Sequence, residues 1–435
     1  MINHSPWLDF KRTEWPILKT DLTCDVAIVG GGISGVATLY YLLTLTQNKV
    51  VLVEKNRVAS GATGHNAGLA VAFIEKPASE LVGLIGEEAT RALYNELNQA
   101  WDDLEALHQT IDLKDNLLSF PYFANGFNSL PQFISYLRDV LIREDDVEEQ
   151  WRFYVDERLS EEMPEDLAAE VEFVPQQTIL TALRSIDTSY IAAGMRISTF
   201  RAKRMNSAKF CYKVLDYLKE KFGDRLSVYE QTDIEKIDLY EDYATLTHAH
   251  GTIASQDVIL CTNAYKDFSI WDQVRSKAVT KVQDAITPRI GFLAAFSPSS
   301  SERYALGFLN HTGDYKDVPF WYFSQAPHAI HNPNHACVLG GPEFNLDDSY
   351  SPEWIDSKGE KSLAMIQYFL KTTFKDAPQT FPFFWHGWMG YTSNGLRWVG
   401  PDTDYPHLWY NLACNGIGIV PAISGAKRIA TLMAP

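Results

Sequence analysis

A short buried strand that runs into a glycine-rich turn constrains this chain more than any other stretch. The run Asp25-Val-Ala-Ile-Val29 is apolar, as in a strand buried within a parallel sheet. It ends in Gly30-Gly31-Gly32-Ile33-Ser34-Gly35, which fits the pattern G-x-G-x-x-G, and residues 33 to 46 follow as a predicted helix. The order strand, glycine turn and helix is typical of a dinucleotide-binding unit.

Each glycine of the pattern has its own physical role. Gly30 permits the tight turn, Gly32 lets backbone N–H groups approach a pyrophosphate, and Gly35 lets the helix lie close to the strand. A second apolar run, Lys49-Val-Val-Leu-Val53, ends in Glu54. A carboxylate at that place accepts hydrogen bonds from a ribose diol. The stretch therefore predicts a dinucleotide site.

Composition and charge exclude several classes of protein. The chain has 435 residues, 46% of them hydrophobic, and a net charge of −17, which argues against a nucleic-acid partner. Five scattered cysteines without a C-x-x-C pair favour buried thiols in a reducing compartment over disulfides or a zinc site. Residues 26 to 45 alone are apolar enough to imitate a membrane span, and their glycines favour strand, turn and helix. We expect a cytoplasmic protein with no integral membrane segment.

The rest of the chain predicts a second sheet of different character. The run Asp257–Ala264 repeats the buried strand of the first unit, so one sheet is predicted from separated pieces of chain. Between residues 277 and 384, aromatic strand-like runs predict an antiparallel sheet. The segment before Asp25, with Trp7 and Trp15 among charged residues, is expected to pack on the surface. Amphipathic or apolar helices are predicted at 87–107, 207–221, 360–373 and 420–433.

Four blocks of the sequence resemble the D-amino-acid-oxidase family of flavoproteins, which includes glycine oxidase, sarcosine oxidase and dimethylglycine dehydrogenase. The blocks are Asp25–Gly35 with Glu54-Lys55, Ser60-Gly-Ala-Thr-Gly-His-Asn-Ala-Gly-Leu69, Val258-Ile-Leu-Cys-Thr-Asn-Ala-Tyr265, and Tyr391–Gly400 with Asn415-Gly-Ile-Gly418. The resemblance implies an α/β fold with a Rossmann-type FAD-binding domain and a second, antiparallel-sheet substrate domain. We predict an arm at 1–20, an FAD-binding domain at 21–110, 192–270 and 385–435, and a substrate domain at 111–191 and 271–384.

The resemblance also implies FAD as the cofactor. Its ring system is expected between the small-residue loop that ends at Leu69 and the C-terminal glycine turn. The residues implied in binding are Gly30, Gly32, Ile33, Ser34, Gly35, Glu54, Lys55, Gly61, Ala62, Thr63, His65, Asn66, Ala67, Gly68, Leu69, Ile234, Thr262, Asn263, Asn415, Gly416, Ile417 and Gly418.

The linkage of the flavin depends on His65. In dimethylglycine and sarcosine dehydrogenases the similar run T-W-H-A-A-G-L carries a histidine bonded covalently to the flavin, and His65 aligns with it. Many relatives have arginine there and bind flavin without a bond, so both roles stay open. Another attachment in the family uses a cysteine, and Met389 occupies its place here.

Two departures from the family pattern lie on the substrate side. The run Thr392–Gly400 has Asn394 and Arg397 where the family often has aspartate and proline. The run Pro288-Arg289-Ile290-Gly291 carries its arginine one position early. These departures affect the prediction of the substrate, not the prediction that flavin is bound.

Four residues are predicted to contact the substrate or act in catalysis. Arg397 is expected to hold a carboxylate and Tyr391 to supply a further hydrogen bond. The alternative is that Arg397 pairs with a surface acid such as Asp402. Tyr322 and Arg289 form a second pair that can reach the substrate from the antiparallel sheet.

The resemblance implies an enzyme that oxidises the C–N bond of a small amino acid or secondary amine by hydride transfer to FAD. One alternative is a dehydrogenase of a 2-hydroxy acid or a glycerol-phosphate-like substrate, with His311 or His386 as the base. Another is a flavin-binding electron-transfer subunit without its own substrate. The expected partner is a small molecule, and the sequence does not specify the electron acceptor.

Three histidines have a spacing that suggests metal ligands. His328, His331 and His335 surround Asn332-Pro-Asn334, a turn signal between two strand-like runs. No cysteine or paired acid accompanies them, as a metal site would require. We therefore predict an exposed hairpin tip and no metal site.

Overall fold

The chain forms two large sheets with helices packed against them. The computed structural model describes residues 3–143, 151–197, 201–298, 300–309, 318, 320–329, 332–346, 350–378 and 380–435. Within these residues lie a ten-stranded, a nine-stranded and a three-stranded sheet. Of the helices in this part of the chain, none is both long and apolar enough to cross a membrane.

The ten-stranded sheet contains the parallel strands predicted from the sequence. Its order is β10 (Leu226–Tyr229), β2 (Val50–Val53), β1 (Leu22–Val29), β13 (Gly251–Leu260), β12 (Ala244–His248), β11 (Ile234–Leu239), β14 (Ser269–Asp272) and β15 (Lys277–Ala278), and β22 (Leu408–Leu412) pairs with β13 and with β21 (Trp398–Pro401). Strand β1 pairs in parallel with β2 and β13. Successive residues of β1 enter two apolar cores, one on each face of the sheet, which explains its continuous apolar run.

Helices pack against both large sheets. In chain order they are α1 (Ile33–Leu45), α2 (Ala78–Ile85), α3 (Glu87–Thr110), α4 (Leu130–Arg143), α5 (Gln176–Leu183), α6 (Ser207–Phe222), α7 (Lys281–Ala285), α8 (Pro352–Thr373) and α9 (Ile419–Met433). The largest apolar core joins α1, α3, α6 and α9 to β1 and β2. Helix α8 begins eight residues before the predicted start because Ser351 caps it, its Oγ accepting the Trp354 N–H at 3.2 Å.

The nine-stranded sheet is mainly antiparallel. Its order is β20 (Phe383–Tyr391), β16 (Thr287–Phe296), β19 (Asn332–Asn345), β18 (Phe320–Ala329), β17 (Tyr304–Leu309), β5 (Tyr122–Phe127), β8 (Ala192–Ile197), β6 (Trp151–Asp156) and β7 (Glu172–Val174). Only the pairs β17–β5 and β6–β7 are parallel among its described strands. The predicted α/β class with a second, antiparallel sheet is confirmed. The predicted domain boundaries stay a prediction, and sheet pairing crosses them because β8 and β20 lie in this second sheet.

The sequence led us to expect that the N-terminal arm packs on the surface. The structure shows that one of its side chains is buried more deeply. The Trp7 side chain is fully buried, and its indole N–H donates to the Asn66 carbonyl at 2.7 Å. A Cβ on Gly68 would lie 2.6 Å from the Trp7 ring, so the loop before β3 (Leu69–Val71) rests directly on the arm. The arm therefore supports this loop through contacts of Trp7 with Asn66 and Gly68, which are far from it in sequence.

A buried arginine joins the three-stranded sheet to the nine-stranded sheet. Arg204 lies on β9 (Ala202–Met205), the middle strand between β3 and β4 (Leu117–Ser119). Its guanidinium donates to the carbonyls of Ala326 and Ala336 at 2.8 Å each and to Ser324 Oγ at 2.9 Å. Burial lowers the pKa of Arg204 to about 10, and the carbonyl oxygens stabilise its charge.

Replacing Arg204 with methionine removes this link. We expect Arg204→Met to lower the free energy of unfolding by about 2–4 kcal/mol, because buried carbonyl groups lose their donors. Lys203→Met is the matched control on the same strand, and it should cost less than about 1 kcal/mol since Lys203 forms a partly exposed ion pair with Glu105. Urea unfolding of both variants measures the difference. Equal costs would contradict the assigned role of Arg204.

Candidate active site

The glycine turn after β1 leaves no room for side chains. Gly30 has a φ of +110°, and a Cβ there would lie 2.7 Å from the Cys261 carbonyl oxygen. A Cβ on Gly35 would collide with the Gly30 carbonyl oxygen. Helix α1 can therefore begin directly at the end of β1, and its free N–H groups point to the edge of the sheet, where they favour an anion.

Glu54 lies where the sequence places it, at the end of β2 beside this turn. Its Oε2 accepts the Gly31 N–H at 2.7 Å and its Oε1 accepts the Asn56 N–H at 2.9 Å. Burial raises the pKa of Glu54 above its ordinary value, and these two bonds oppose that shift. The carboxylate is thus held in one orientation, and its remaining lone pairs can accept hydroxyl groups.

The loop of small residues from 60 to 69 is fastened to α1 and to itself. Thr63 Oγ1 accepts the Ile33 N–H at 2.9 Å, at the first turn of α1. Asn66 Nδ2 donates to the Thr63 carbonyl at 2.9 Å, and its Oδ1 accepts the Gly68 N–H at 2.7 Å. We call residues 60–69 the cofactor loop.

His65 projects from the cofactor loop as a neutral ring. Its Nδ1 lies 3.1 Å from the Gly61 carbonyl oxygen, which can only accept, so Nδ1 carries the proton and Nε2 keeps its lone pair. Burial lowers the pKa of His65, which favours this neutral form. His65 can therefore act as a hydrogen-bond acceptor or as a nucleophile.

One cavity of about 870 Å³ runs from the glycine turn past the cofactor loop to the nine-stranded sheet. This size suits a ligand larger than most metabolites. Gly35, Gly68 and Asn415 do not line it, and the Asn415 side chain instead accepts the Thr392 N–H at 2.8 Å. The cavity does receive the other predicted cofactor residues, namely Gly30, Gly32, Ile33, Ser34, Glu54, Lys55, Gly61, Ala62, Thr63, His65, Asn66, Ala67, Leu69, Ile234, Thr262, Asn263, Gly416, Ile417 and Gly418.

Thr262 contributes a hydroxyl that the protein itself does not use. Its Oγ1 is buried beside the cavity, and within the part of the chain that the structure describes it has no hydrogen-bond partner. A buried hydroxyl without a partner is costly, whereas a ligand can supply the missing bond. The residues present therefore fit a polar ligand at this point.

Asn263 fixes the far wall of the cavity. Its Oδ1 accepts the Cys414 N–H at 2.9 Å, and its Nδ2 donates to the Trp388 carbonyl at 3.2 Å. These bonds hold the C-terminal glycine turn against β20. The Asn263 side chain thus positions this wall of the cavity. Its backbone has a left-handed φ of +55°.

Three of the four predicted substrate residues share the face of the nine-stranded sheet that lines the cavity. They are Arg289 on β16, Tyr322 on β18 and Tyr391 on β20. The Arg289 guanidinium lies 4.2 Å from the centre of the Tyr391 ring, a cation–π contact. Burial first, and nearby carboxylates second, raise the pKa of Tyr391, so its hydroxyl stays protonated.

Two glutamates that the sequence analysis missed complete this group. Glu343 Oε1 accepts from Arg289 Nη1 at 3.0 Å, and the Tyr391 hydroxyl lies 3.3 Å from Glu343 Oε2 and 3.5 Å from Glu75 Oε2. Desolvation at the cavity wall and the nearby Glu343 together raise the pKa of Glu75 to about 7, although Arg289 and the Tyr391 hydroxyl oppose this shift. Glu343 is the one acidic residue of β19 and faces the cavity, and this charge was the available signal. We call Glu75, Arg289, Glu343 and Tyr391 the acidic group.

Arg397 lies elsewhere, beside the glycine turn. It donates to Ser34 Oγ, to the Asn411 carbonyl at 2.9 Å and to the Ala413 carbonyl at 3.4 Å. The predicted alternative, a pair with Asp402, is not formed, because Asp402 accepts from Lys281 at 2.8 Å. Among the described residues no contact joins Arg397 to the acidic group.

Burial lowers the pKa of Arg397 to about 10, and its donors reach backbone, hydroxyl and side-chain amide oxygens, not a carboxylate. Its charge thus faces the start of α1, where an anionic ligand is expected. The predicted contact with a substrate carboxylate stays a prediction.

The histidines proposed as alternative bases or metal ligands are not part of this cavity as described. His386 faces the opposite side of β20, its ring centre 5.5 Å from that of Phe292. His311 and the side chains of His328, His331 and His335 lie outside the described residues. Among the described residues there is no cluster of three or more metal-ligating side chains.

Solved structures with the same fold include several oxidases. Glycine oxidase from Geobacillus kaustophilus is 15% identical, with 94% of this chain and 95% of that chain covered and a TM-score of 0.59. NikD, described as an unusual amino acid oxidase, is 12% identical over 95% of each chain, with a TM-score of 0.67. L-alpha-glycerophosphate oxidase from Mycoplasma pneumoniae with FAD bound is 14% identical over 93% and 94%, with a TM-score of 0.61.

Closer similarity in sequence is confined to short segments of longer proteins. A putative Rieske 2Fe-2S iron-sulfur protein of Bacillus subtilis (strain 168) is 40% identical over 85 residues, 20% of this chain and 16% of that protein. Human mitochondrial sarcosine dehydrogenase is 47% identical over 47 residues, 11% of this chain and 5% of that protein.

The family model of the FAD dependent oxidoreductases named DAO matches residues 25–432. The match spans both large sheets and every part of the cavity described above. The family membership that the resemblance implied is thereby confirmed. This chain belongs to the DAO family of FAD-dependent oxidoreductases.

Proposed function

We propose that this protein oxidises the C–N bond of a small amine or amino acid with FAD. The observation that supports the proposal most is the acidic group, which faces the same cavity as the glycine turn and the cofactor loop. Amines present N–H donors and a positive charge, and carboxylate oxygens are their natural acceptors. The names of glycine oxidase and NikD among the structural neighbours support the same class of substrate.

The residues around the cavity have separate parts in holding FAD. The N–H groups at the start of α1 and the Arg397 guanidinium would face the pyrophosphate, and Glu54 would accept from the ribose. Thr262 and His65 would contact other polar parts of the cofactor. Once bound, FAD supplies a two-electron acceptor for hydride.

The protein's own contribution to the reaction is to bind and orient the amine. Tyr322 and Phe320 give the cavity an apolar wall, and Gly291 leaves space beside Met389. Such a wall excludes water and fixes the direction in which the C–H bond points. The Tyr391 hydroxyl and the two glutamates are the polar groups that can orient the nitrogen.

The alternative substrates receive less support. A hydroxy-acid or glycerol-phosphate dehydrogenase needs a base over the flavin, and His386 faces away from the cavity. A flavin-binding subunit without a substrate has no need for a cavity wall that carries Glu75, Glu343 and Arg289. Oxidation of an amine therefore accounts for more of the site.

A cytoplasmic location belongs to the same proposal. The cysteines Cys24, Cys211, Cys261 and Cys337 are free and buried, and Cys414 is free and half-buried. Free thiols in this number suit a reducing compartment. No contact in the described part of the chain indicates what accepts electrons from the flavin.

Thr262→Val tests the cofactor site. We expect the apoprotein to melt at the same temperature or higher, because the change removes a buried hydroxyl without a partner. We expect its affinity for FAD to fall roughly threefold to tenfold, since one hydrogen bond to the ligand is lost.

Thr90→Val is the matched control for Thr262→Val. Thr90 is also buried, but its hydroxyl donates to the Gly86 carbonyl at 2.8 Å within the protein. This change should lower the melting temperature and leave the affinity for FAD unchanged. Calorimetric titration with FAD measures the affinities, and unchanged affinity in Thr262→Val would exclude its assigned contact.

Anaerobic bleaching of the flavin tests the proposed reaction. The holoprotein should lose its absorbance near 450 nm with at least one of sarcosine, glycine and N-methylpropylamine, but not with lactate or glycerol 3-phosphate. Dithionite should bleach every sample, which shows that the flavin is reducible. Bleaching by the hydroxy compounds alone would favour the alternative dehydrogenase, and bleaching by neither panel would favour the electron-transfer subunit.

His65 is either bonded covalently to the flavin or only hydrogen-bonded to it, and acid precipitation distinguishes the two cases. If Nε2 is bonded to the flavin, the yellow colour stays with the denatured protein, and His65→Ala releases it. If His65 only hydrogen-bonds, the flavin leaves the wild-type protein as well. The similarity to human sarcosine dehydrogenase supports the bonded form, and the free lone pair of Nε2 permits it.

A further inference from the structure

Two carboxylates converge on one phenol inside the cavity. Tyr391 has a single hydroxyl proton, so it can donate to Glu343 or to Glu75 but not to both at once. Arg289 pairs with Glu343, at 3.0 Å. Among the described residues, no ion pair joins Glu75 to a basic side chain. Glu75 therefore has an acceptor oxygen that the protein does not neutralise.

Glu75 lies at the corner where the C-terminal glycine turn meets the nine-stranded sheet. A Cβ on Gly416 would collide with Glu75 Oε2 and would lie 3.0 Å from the Tyr391 hydroxyl. Gly416 has a φ of +78°, which favours glycine, so this corner stays open to the carboxylate. The corner belongs to the wall of the large cavity and is not a separate surface cluster.

We propose that this corner binds the substrate as an ammonium cation, with Glu75 and Glu343 as the acceptors, and that Glu75 then takes the ammonium proton. The substrate class is a primary or secondary amine without a carboxylate, because Arg289, the cation in contact with this corner, already pairs with Glu343. The proposal departs from the expectation that an arginine holds a substrate carboxylate.

The proton transfer is balanced within the site. An N–H bond of the ammonium breaks, an O–H bond forms on Glu75, and no electrons leave either group. The amine then carries the free electron pair that must form the C=N bond when the neighbouring C–H bond breaks as hydride. The proton transfer to Glu75 rests on the proposed function, whereas binding of the ammonium ion at the corner does not.

The charge at the corner depends on all the groups that face Glu75. Glu343 lies on β19, Arg289 on β16, Tyr391 on β20 and Tyr322 on β18, and the cavity wall opposite the sheet adds Lys76, Asp139 and Arg143. Lys76 pairs with Glu80 at 2.9 Å, which takes its charge away from the corner. Burial and Glu343 raise the pKa of Glu75 to about 7, a value suited to accepting a proton near neutral pH.

A pair of probes with the same shape and opposite charge tests the binding. The tert-butylammonium ion has N–H donors but no hydrogen on the carbon next to nitrogen, so it cannot be oxidised by hydride transfer. Pivalate is the carboxylate of the same shape. Titrated into the holoprotein near pH 8, the ammonium should change the flavin spectrum with a Kd at least about tenfold below that of pivalate. Equal affinities, or tighter binding of pivalate, would overturn the proposal.

Single amide substitutions assign the effect to residues. Glu75→Gln should raise the Kd of tert-butylammonium about tenfold or more, because one charged acceptor is lost. Glu343→Gln should release Arg289 and so strengthen the binding of pivalate. Glu87→Gln is the matched control, since the Glu87 side chain is exposed and pairs with Arg91 outside the cavity. Unchanged affinities in both Glu75→Gln and Glu343→Gln would contradict the assignment.

The dependence on pH gives a further readout. In the wild-type protein the affinity for tert-butylammonium should fall from about pH 8 to about pH 6, because protonated Glu75 loses its charge. Glu75→Gln should remove this dependence. A dependence that persists in Glu75→Gln would place the titrating group elsewhere and overturn the role of Glu75. If the variant does not fold, the comparison of the two probes on wild-type protein still decides the binding.

Failure of this inference can be distinguished from failure of the proposed function. If amines bleach the flavin but pivalate binds better than tert-butylammonium, amine oxidation stands and the cation site is wrong. If tert-butylammonium binds through Glu75 but neither sarcosine, glycine nor N-methylpropylamine bleaches the flavin, the cation site stands and amine oxidation is wrong.

Discussion

The close approach of α1 to β1 is the constraint on which the rest of the structure depends. Gly35 has no side chain to place between the helix and the Gly30 carbonyl, so the helix starts directly at the edge of the parallel sheet. Glu54 secures the turn by accepting the Gly31 N–H, and Thr63 secures the cofactor loop by accepting an N–H of α1. This end of the cavity is therefore built from close contacts to the backbone that few substitutions could preserve.

The two ends of the cavity carry opposite charge. The start of α1 and Arg397 present partial and full positive charge, which suits the pyrophosphate of FAD. The acidic group at the nine-stranded sheet contains two carboxylates and one guanidinium, so its excess charge is negative while both carboxylates are ionised. This separation is consistent with the proposed binding of an anionic cofactor and a cationic substrate in one continuous space.

Local patterns predicted the cofactor end of the site, because its geometry is determined by residues close in sequence. Glycine spacing, an apolar strand and an acid at the end of the second strand were sufficient for Gly30 and Glu54. The depth at which Trp7 of the N-terminal arm is buried could not be predicted, because it depends on the Asn66 carbonyl and on Gly68, far away in the chain. Periodicity along the arm carries no information about such a contact.

The substrate end could be predicted only in part, because its residues come from different strands and loops. Arg289, Tyr322 and Tyr391 were predicted as substrate contacts, and the structure shows that they line the same cavity. Glu75 and Glu343 were missed, since an isolated acid in a loop or strand is usually solvated. That these two acids line the same cavity becomes apparent only when the two large sheets are placed together.

The glycine turn and Glu54 are inferred to hold the adenosine diphosphate half of FAD, and every other assignment in the cavity depends on this one. Calorimetric titration of the apoprotein with FAD and with FMN tests this directly, because FMN has the same ring system but lacks the adenosine and the second phosphate. The account predicts that FAD binds at least about a hundredfold more tightly than FMN, a difference of roughly 2.7 kcal/mol. Equal affinities, or no binding of FAD, would contradict it.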